Sequence, residues 1–241
     1  MKLVVDAHTH TISSGHAYST VQEIAKEAAN KGIEMFVVAD HAPAMAGAPS
    51  FLHFANLKEI PDKIYGVRVV KGVEANIIDY SGNLDMPDAY LKRLDFVIAS
   101  LHDVCIKPAT VEEHTNALIK VLENPYVDVV AHPGNPIFQV DIEKVVRAAA
   151  ENKKLIEINN HSFDARKGCE ENCEEFARVC CKMGVQMVSS SDAHISFQVG
   201  SFDRVLKIFD KLKVPEDLVL TASAERFEEY LLQRKRRLKL I

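Results

Sequence analysis

The feature that most constrains the fold is a regular alternation of short apolar runs with longer segments of helical periodicity. Seven apolar runs predict strands at 2–7, 33–39, 67–73, 96–100, 127–131, 154–158 and 185–189. Helical spacing predicts helices at 21–31, 111–123, 142–152, 169–182 and 202–211. Strands that are apolar throughout are typical of a parallel sheet with helices on both faces. The pattern therefore predicts an α/β fold.

The number of strand–helix units selects the architecture. Seven units are one fewer than in a standard TIM barrel, so we predict a distorted (β/α)7 TIM-like barrel. The chain has 241 residues, of which 47% are hydrophobic, which suits one domain over 1–241. An open doubly wound sheet is the alternative, but the sequence has no glycine-rich phosphate-binding loop. A further helix is predicted from residue 216, and its end, Arg234-Lys235-Arg236-Arg237, is expected to be a solvated cationic terminus.

Composition narrows the classes of partner. The net charge of -5 argues against a general affinity for nucleic acid. No apolar run approaches the ~20 residues of a membrane span, and the apolar start before Asp6 is too short for a signal peptide. We therefore expect a cytoplasmic protein without a membrane partner, and a homo-oligomer is compatible with the sequence. Five cysteines, an odd number, predict reduced thiols, and the spacing of Cys169, Cys173 and Cys180 favours a core stripe over a zinc site.

Potential metal ligands recur where the predicted strands end. They are His8 and His10, His41, Glu74, His102, His132, and Asp192 with His194. The carboxyl ends of parallel barrel strands meet on one face, where active sites of this architecture lie. His8 and His10 are one residue apart and would point the same way in an extended chain. Imidazole and carboxylate ligands together suit zinc, manganese or iron, and a carboxylate such as Glu74 can bridge two ions.

These motifs resemble those of the PHP (polymerase and histidinol phosphatase) superfamily. The resemblance is carried by Asp6-Ala7-His8-Thr9-His10, Ala39-Asp40-His41, the Glu74 strand end, Ala131-His132-Pro133-Gly134-Asn135-Pro136 and Ser190-Ser191-Asp192-Ala193-His194. Residues 157–173 are similar to the YcdX-type phosphatases of this superfamily. The resemblance implies a distorted (β/α)7 barrel with three metal ions. It assigns three ligand groups: a first group of His8, His10, Glu74 and Asp192, a second of Glu74, His102 and His132, and a third of His16, His41 and His194.

The resemblance and the two-metal arrangement predict hydrolysis of a small phosphate ester. Two close divalent ions would bind the phosphoryl oxygens and activate a bridging hydroxide. Zinc is the expected metal, and manganese and iron are the alternatives. Asp192, Glu74 and His194 are the expected catalytic residues. Arg166 follows the sixth strand and is the candidate phosphate contact, because its guanidinium fork matches phosphate. His161 in the same loop is a further candidate substrate contact, whereas His53 and His114 are expected at the surface.

Several other functions remain open at the level of sequence. An amidohydrolase-type deacylase or deaminase also begins with His-x-His, but Glu74 and the additional histidines favour three ions and phosphate. A nuclease acting on single strands is disfavoured by the net negative charge. A histidinol phosphatase is a further alternative, and a polymerase-associated module lacks a polymerase domain on this chain. The substrate itself cannot be inferred from these residues.

Overall fold

The chain forms eight strands, seven of which run parallel. The computed structural model describes all 241 residues. The strands are β1 Val5–Thr9, β2 Met35–Val38, β3 Lys63–Ile64, β4 Val67–Asn76, β5 Phe96–Ser100, β6 Val129–Val130, β7 Leu155–Asn159 and β8 Met187–Ser190. The parallel strands are arranged in the order β1-β2-β4-β5-β6-β7-β8, and β3 pairs antiparallel with β4. All seven predicted strands are present; β5 has its predicted ends, and the other six are shifted at one or both ends.

The first and last parallel strands nearly close the sheet into a barrel. A single parallel bridge joins Thr9 to Ala193, and the His10 N–H donates to the Ala193 carbonyl at 2.9 Å. At the other end of the same gap, Thr221 accepts from the Val4 N–H at 3.0 Å and, through its hydroxyl, from the Ser189 N–H at 3.1 Å. No continuous ladder joins β1 to β8. The structure confirms the predicted distorted seven-stranded barrel.

Helices cover the outside of the barrel. They are α1 Val21–Asn30, α2 Phe51–Asn56, α3 Asp88–Leu91, α4 Val111–Glu123, α5 Ile142–Asn152, α6 Ser162–Ala165, α7 Glu170–Met183, α8 Asp203–Leu212 and α9 Ala224–Arg237. The local sequence sets their ends. Thr20 with Glu23 and Thr110 with Glu113 form capping boxes at the starts of α1 and α4. Gly184 ends α7 at φ 69°, a conformation that glycine adopts without steric cost. The short helices α2, α3 and α6 were not predicted, because four to six residues carry little periodicity.

Helix α9 closes the amino-terminal mouth of the barrel. Phe227 and Leu231 pack with interior residues at the starts of the strands, such as Phe96 and Leu155. A second apolar layer fills the space between the strands and the outer helices. It includes Cys169, Cys173 and Cys180, as predicted for a core stripe, and all five cysteines are free. Of the two mouths of the barrel, therefore, only the carboxyl-terminal one is open.

The basic end of α9 differs from the sequence prediction. The helix begins at Ala224 rather than at 216, after two short 3-10 turns. Arg234 is fully buried rather than solvated, and its guanidinium donates to Asp128 Oδ2 at 2.6 Å and to the Leu94 carbonyl at 2.6 Å. The expectation of a wholly solvated terminus was therefore wrong at Arg234. Arg234 is buried because Asp128 is buried too, and a buried carboxylate needs a cation within hydrogen-bond distance.

Two smaller observations complete the fold. None of the helices is long and apolar enough to span a membrane. His114, expected at the surface, is buried: its Nε2 accepts from the Ala109 N–H at 2.8 Å, and its Nδ1 donates to the Gln139 carbonyl at 2.8 Å. These bonds fix the loop before α4, so His114 has a structural role. His53 is half-buried, and its Nε2 lies 3.1 Å from Asp40 Oδ2.

Candidate metal centre

The histidines at the strand ends converge on the open face of the barrel. A bulge in β1 sets the direction of the first two histidine side chains, His8 and His10. Asp6 pairs with Phe36 and Thr9 with Val38, so β1 has one residue more than β2 over this stretch. Such a bulge reverses which face the following side chains take. It lets His8 and Val5, three residues apart, both face the barrel interior.

The first ligand group is a tight cluster around two imidazole nitrogens. His8 Nε2 lies 3.0 Å from His10 Nε2. His10 Nε2 lies 3.1 Å from Asp192 Oδ1, and His8 Nε2 lies 3.3 Å from Glu74 Oε2. All four residues are buried. Four donor atoms from three different strand ends therefore face one small volume, as a metal ion requires.

The second ligand group shares Glu74 with the first. Glu74 Oε1 lies 3.0 Å from His132 Nε2 and 3.3 Å from His102 Nε2. The other oxygen of Glu74, Oε2, faces His8 and also lies 2.7 Å from His41 Nδ1. The two oxygens of one carboxylate thus point at two different sets of histidines. This is the arrangement expected of a carboxylate that bridges two ions.

The third ligand group is the most open. The ring centroid of His16 lies 4.9 Å from that of His41 and 5.0 Å from that of His194. His16 is exposed and His194 partly so, whereas His41 is buried. The loop that carries His16 depends on Gly15, which has φ 80° and packs so closely on Gly47 that a Cβ atom would lie 2.5 Å from the Gly47 carbonyl oxygen. His41 also approaches Glu74, so it lies between the third group and the other two.

A second layer of polar residues fixes the ring orientations. The Nδ1 atoms face hydrogen-bond partners: Glu157 Oε1 at 2.9 Å from His8, Ser14 Oγ at 3.1 Å from His10, Asn76 Oδ1 at 2.8 Å from His102 and the Asp192 carbonyl at 2.9 Å from His194. Each ring therefore presents Nε2 to the centre, as is usual for histidines that bind metals. These hydrogen-bond partners were not predicted from the sequence. Glu157 carried a usable signal, because it is a carboxylate inside an otherwise apolar strand.

Burial and neighbouring charges change the pKa values of the proposed ligands. Burial lowers the pKa of His10 to about 3, and burial with the nearby Arg166 lowers that of His132 to about 4. Both rings are therefore neutral at neutral pH, with a free lone pair. Burial alone would raise the pKa of Glu74, but the surrounding histidines hold it well below its ordinary value. Burial opposes a charge on His8, yet the carboxylates around it raise its pKa well above the ordinary value.

The ligand atoms of the centre suit divalent metals, and two of them have no hydrogen-bond partner within the protein. Glu74 Oε2 and His41 Nδ1 are buried and make no well-directed hydrogen bond, although they lie 2.7 Å apart. Buried polar atoms without partners are costly, and a cation would satisfy both. His132 and Asp192 also have positive φ angles of 33° and 51°, which are strained for residues other than glycine and cluster at functional sites. Mixed imidazole and carboxylate ligands suit zinc, manganese and iron.

The two candidate substrate contacts lie at the edge of this centre. The short helix α6 follows β7 and leads into Arg166, whose Nη1 donates to Ser162 Oγ at 3.2 Å and lies 3.7 Å from Asp192 Oδ2. The ring of His161 stacks at 5.7 Å from that of His194. The structure thus brings Arg166 and His161 beside the first and third ligand groups, respectively. Their roles toward a substrate remain predictions.

Comparison with known proteins agrees with this centre. A family model described as "PHP domain" matches residues 6–165. The chain belongs to the PHP family. A protein of Acetivibrio thermocellus named "Probable phosphatase" is 65% identical over 239 residues, covering 99% of both chains. A "Probable phosphatase" of Thermoanaerobacter sp. is 53% identical over 240 residues, covering 99% of this chain and 98% of that one.

A solved PHP-like structure supports the fold. The histidinol phosphate phosphatase of Lactococcus lactis, in complex with zinc, L-histidinol and phosphate, aligns with a TM-score of 0.61. The alignment covers 89% of this chain and 95% of that one, at 17% sequence identity. At that identity the likeness concerns the fold alone.

Proposed function

We propose that this protein is a metal-dependent phosphoesterase that hydrolyses a small phosphate ester, with the whole chain, 1–241, acting as one metallohydrolase domain. The observation that carries the proposal is Glu74, a fully buried carboxylate whose two oxygens face separate sets of histidines. The names of the relatives and the zinc- and phosphate-bound neighbour support the same reaction class. The third ligand group, His16, His41 and His194, favours a phosphoesterase over a deacylase or deaminase.

We propose three divalent ions, with zinc preferred over manganese or iron. His8, His10, Glu74 and Asp192 would hold one ion, and Glu74, His102 and His132 a second, while His16, His41 and His194 would hold a third. The neutral imidazoles of His10 and His132 and the fixed ring orientations support zinc, which favours nitrogen ligands. When bound, the ions would supply positive charge to phosphoryl oxygens and a water of lowered pKa between the two ions that Glu74 bridges.

The charge balance favours an anionic substrate. Three divalent ions would bring about six positive charges against the two carboxylates that face them, Glu74 and Asp192. The second-layer carboxylates, such as Glu157, offset only part of that excess. A phosphate dianion would therefore be attracted to the open side of the centre. The guanidinium of Arg166 has paired donors whose spacing matches a phosphoryl group. It lies at the edge of the first ligand group, with Nη1 3.7 Å from Asp192 Oδ2, so it would contact a phosphate bound there.

Side chains beside the centre would also hold the ligands in place and transfer protons. Burial lowers the pKa of His194, so its ring is neutral near neutral pH and has a lone pair for the third ion. Its neighbour His161 lies on the same open side and could carry a proton to the leaving alcohol. Asp192 accepts from Asn159 Nδ2 at 3.1 Å, which keeps its other oxygen directed at His10. These residues are the proposed proton carriers and orienting groups of the reaction.

A substrate screen before and after metal removal tests the proposal. We expect the zinc-loaded protein to release inorganic phosphate from small phosphomonoesters, to lose this activity on dialysis against a chelator and to regain it with zinc. N-acyl amino acids, adenosine and single-stranded oligonucleotides are assayed in parallel. Turnover of one of these without release of phosphate from any monoester would overturn the proposal in favour of a deacylase, a deaminase or a nuclease.

A further inference from the structure

A buried carboxylate, Asp40, lies one side chain beyond a ligand of the first group. The Ser14 hydroxyl oxygen lies 2.7 Å from Asp40 Oδ1 and 3.1 Å from His10 Nδ1, and it accepts from the His41 N–H at 3.2 Å. Asp40 Oδ1 also accepts from the Thr11 N–H at 2.7 Å, and an ionised carboxylate can only accept, so the single proton of Ser14 is directed at Asp40. The Ser14 oxygen must then accept from His10. This places the His10 proton on Nδ1 and leaves the lone pair of Nε2 facing the centre.

A second carboxylate, Asp85, stands in the same relation to the second ligand group. Its two oxygens accept from the Asn76 N–H and from Asn76 Nδ2, both at 2.7 Å. Asn76 Nδ2 also donates to the Ala42 carbonyl at 3.0 Å, which fixes the amide so that its oxygen lies 2.8 Å from His102 Nδ1. An amide oxygen can only accept, so His102 also carries its proton on Nδ1. Its Nε2, 3.3 Å from Glu74 Oε1, is left free for a metal ion.

Both chains of hydrogen bonds end as the bond from His8 does, on a carboxylate. His8 Nδ1 faces Glu157 directly at 2.9 Å, whereas Asp40 and Asp85 are each reached through one neutral side chain. Asp40 is fully buried, and its only ion-pair partner is the partly exposed His53, at 3.1 Å. A buried carboxylate with no arginine or lysine beside it is costly. Metal ions bound beyond His10 would offset that cost.

We propose that Asp40 and Asp85 are positioning residues of the metal centre. Each acts through one neutral side chain, Ser14 or Asn76, to hold the proton and the direction of one ligand histidine. The inference rests on the proposed function and adds two residues that would contact neither metal nor substrate. A carboxylate that holds the second nitrogen of a histidine ligand fixes the ring and raises its basicity, which strengthens metal binding. Asp40 would therefore support the ion of the first group, and Asp85 that of the second.

A double-mutant cycle tests whether Asp40 acts through Ser14. The zinc dissociation constants of the zinc-loaded proteins are measured by competition with a chromophoric chelator, and circular dichroism checks that each variant is folded. Asp40→Asn and Ser14→Ala should each weaken the binding of one ion by about 10-fold. The double variant should bind that ion no more than about 3-fold more weakly than either single variant, because both substitutions break the same chain of hydrogen bonds.

Asp85→Asn provides the comparison with the second chain. It should also weaken one ion by about 10-fold, but a different one. The Asp40→Asn, Asp85→Asn double variant should therefore have two weakened constants, each changed by as much as in the single variant. Asp210→Asn removes an exposed carboxylate on α8 and is the matched control, so it should keep the wild-type constants.

Nitrogen-15 NMR of the histidine-labelled, zinc-loaded wild type adds a test that needs no variant. We expect Nδ1 of His10 and of His102 to carry the proton and Nε2 to bind zinc, and zinc on Nδ1 of either ring would overturn the proposal. Effects of Asp40→Asn and Ser14→Ala that multiply, or wild-type constants in the folded variants, would also overturn it. If the wild type still binds zinc and releases phosphate, these results leave the phosphoesterase function intact. A wild type that binds fewer than two ions and releases no phosphate would instead refute the function on which the positioning role rests.

Discussion

Replacing Glu74 with glutamine changes one side chain that faces four histidines of the centre, and so should affect two of the three ligand groups. The change keeps the size of the side chain and one carbonyl oxygen, but removes the negative charge. In the structure one carboxylate oxygen faces His132 and His102 at 3.0 and 3.3 Å, and the other faces His8 and His41 at 3.3 and 2.7 Å. The substitution therefore removes the shared anionic ligand of the first and second groups.

The size of the expected effect follows from that double contact. Loss of a second-layer partner typically costs 10- to 100-fold in metal affinity or activity. Glu74 would be a direct ligand of two ions, so we expect kcat/KM for a phosphomonoester to fall by more than about 100-fold, or about 2.7 kcal/mol of transition-state stabilisation. The number of tightly bound ions should fall by at least about one, because the second group keeps only two histidines, whereas the first group still has His8, His10 and Asp192.

The assay measures both quantities on one preparation. The variant is equilibrated at a fixed free zinc concentration, and zinc per chain and kcat/KM are then determined. Far-ultraviolet circular dichroism checks that the barrel is folded. Glu151→Gln, an exposed glutamate on α5, is the matched control and should behave as wild type. A folded Glu74→Gln variant that keeps its zinc content and most of its activity would refute the bridging role.

Three further substitutions test separate parts of the structure. His16→Ala should lower the zinc content by about one ion per chain and leave the ions of the first and second groups bound; loss of all zinc would contradict independent third-group binding. Glu157→Gln should weaken zinc binding about 10- to 100-fold in a competition titration, because the carboxylate orients His8 without facing the centre, and unchanged affinity would contradict this role. Arg234→Met should lower the free energy of unfolding in urea by about 3 kcal/mol, since it removes the cation bound to buried Asp128 Oδ2 and leaves only Arg237, 3.3 Å from Oδ1. Exposed Arg236→Met should change it by less than about 0.5 kcal/mol, and equal effects would contradict the buried pair.

The sequence was sufficient for the architecture because the architecture depends on periodicity. Continuous apolar strands and amphipathic helices recur along the chain, and helices such as Val111–Glu123 and Ile142–Asn152 were predicted with their observed ends. The gap between β1 and β8 was not predictable, since the residues that fill it, around Thr221, come from a segment that was predicted as the start of the terminal helix. Burial of Arg234 was also hidden, because its partner Asp128 lies 106 residues away.

The site was predictable to the extent that its ligands stand at strand ends. His8, His10, His41, Glu74, His102, His132, Asp192 and His194 do so, and the structure brings them together. His16 lies in a loop and could be included only through the resemblance to the PHP superfamily. Apart from Glu157, the second layer, including Ser14 and Asn76, could not be predicted, since a hydrogen bond to a histidine Nδ1 needs only a polar atom at the right point in space.

Counting zinc per chain while following phosphatase activity tests the central claim most directly. Metal-free protein is titrated with zinc, and bound zinc and phosphate release from a small phosphomonoester are measured at each step. We predict that activity appears as the first and second ligand groups fill, and that binding saturates at about three ions per chain. Saturation below two ions per chain, with no phosphate released at any zinc concentration, would contradict the proposed metal-dependent phosphoesterase.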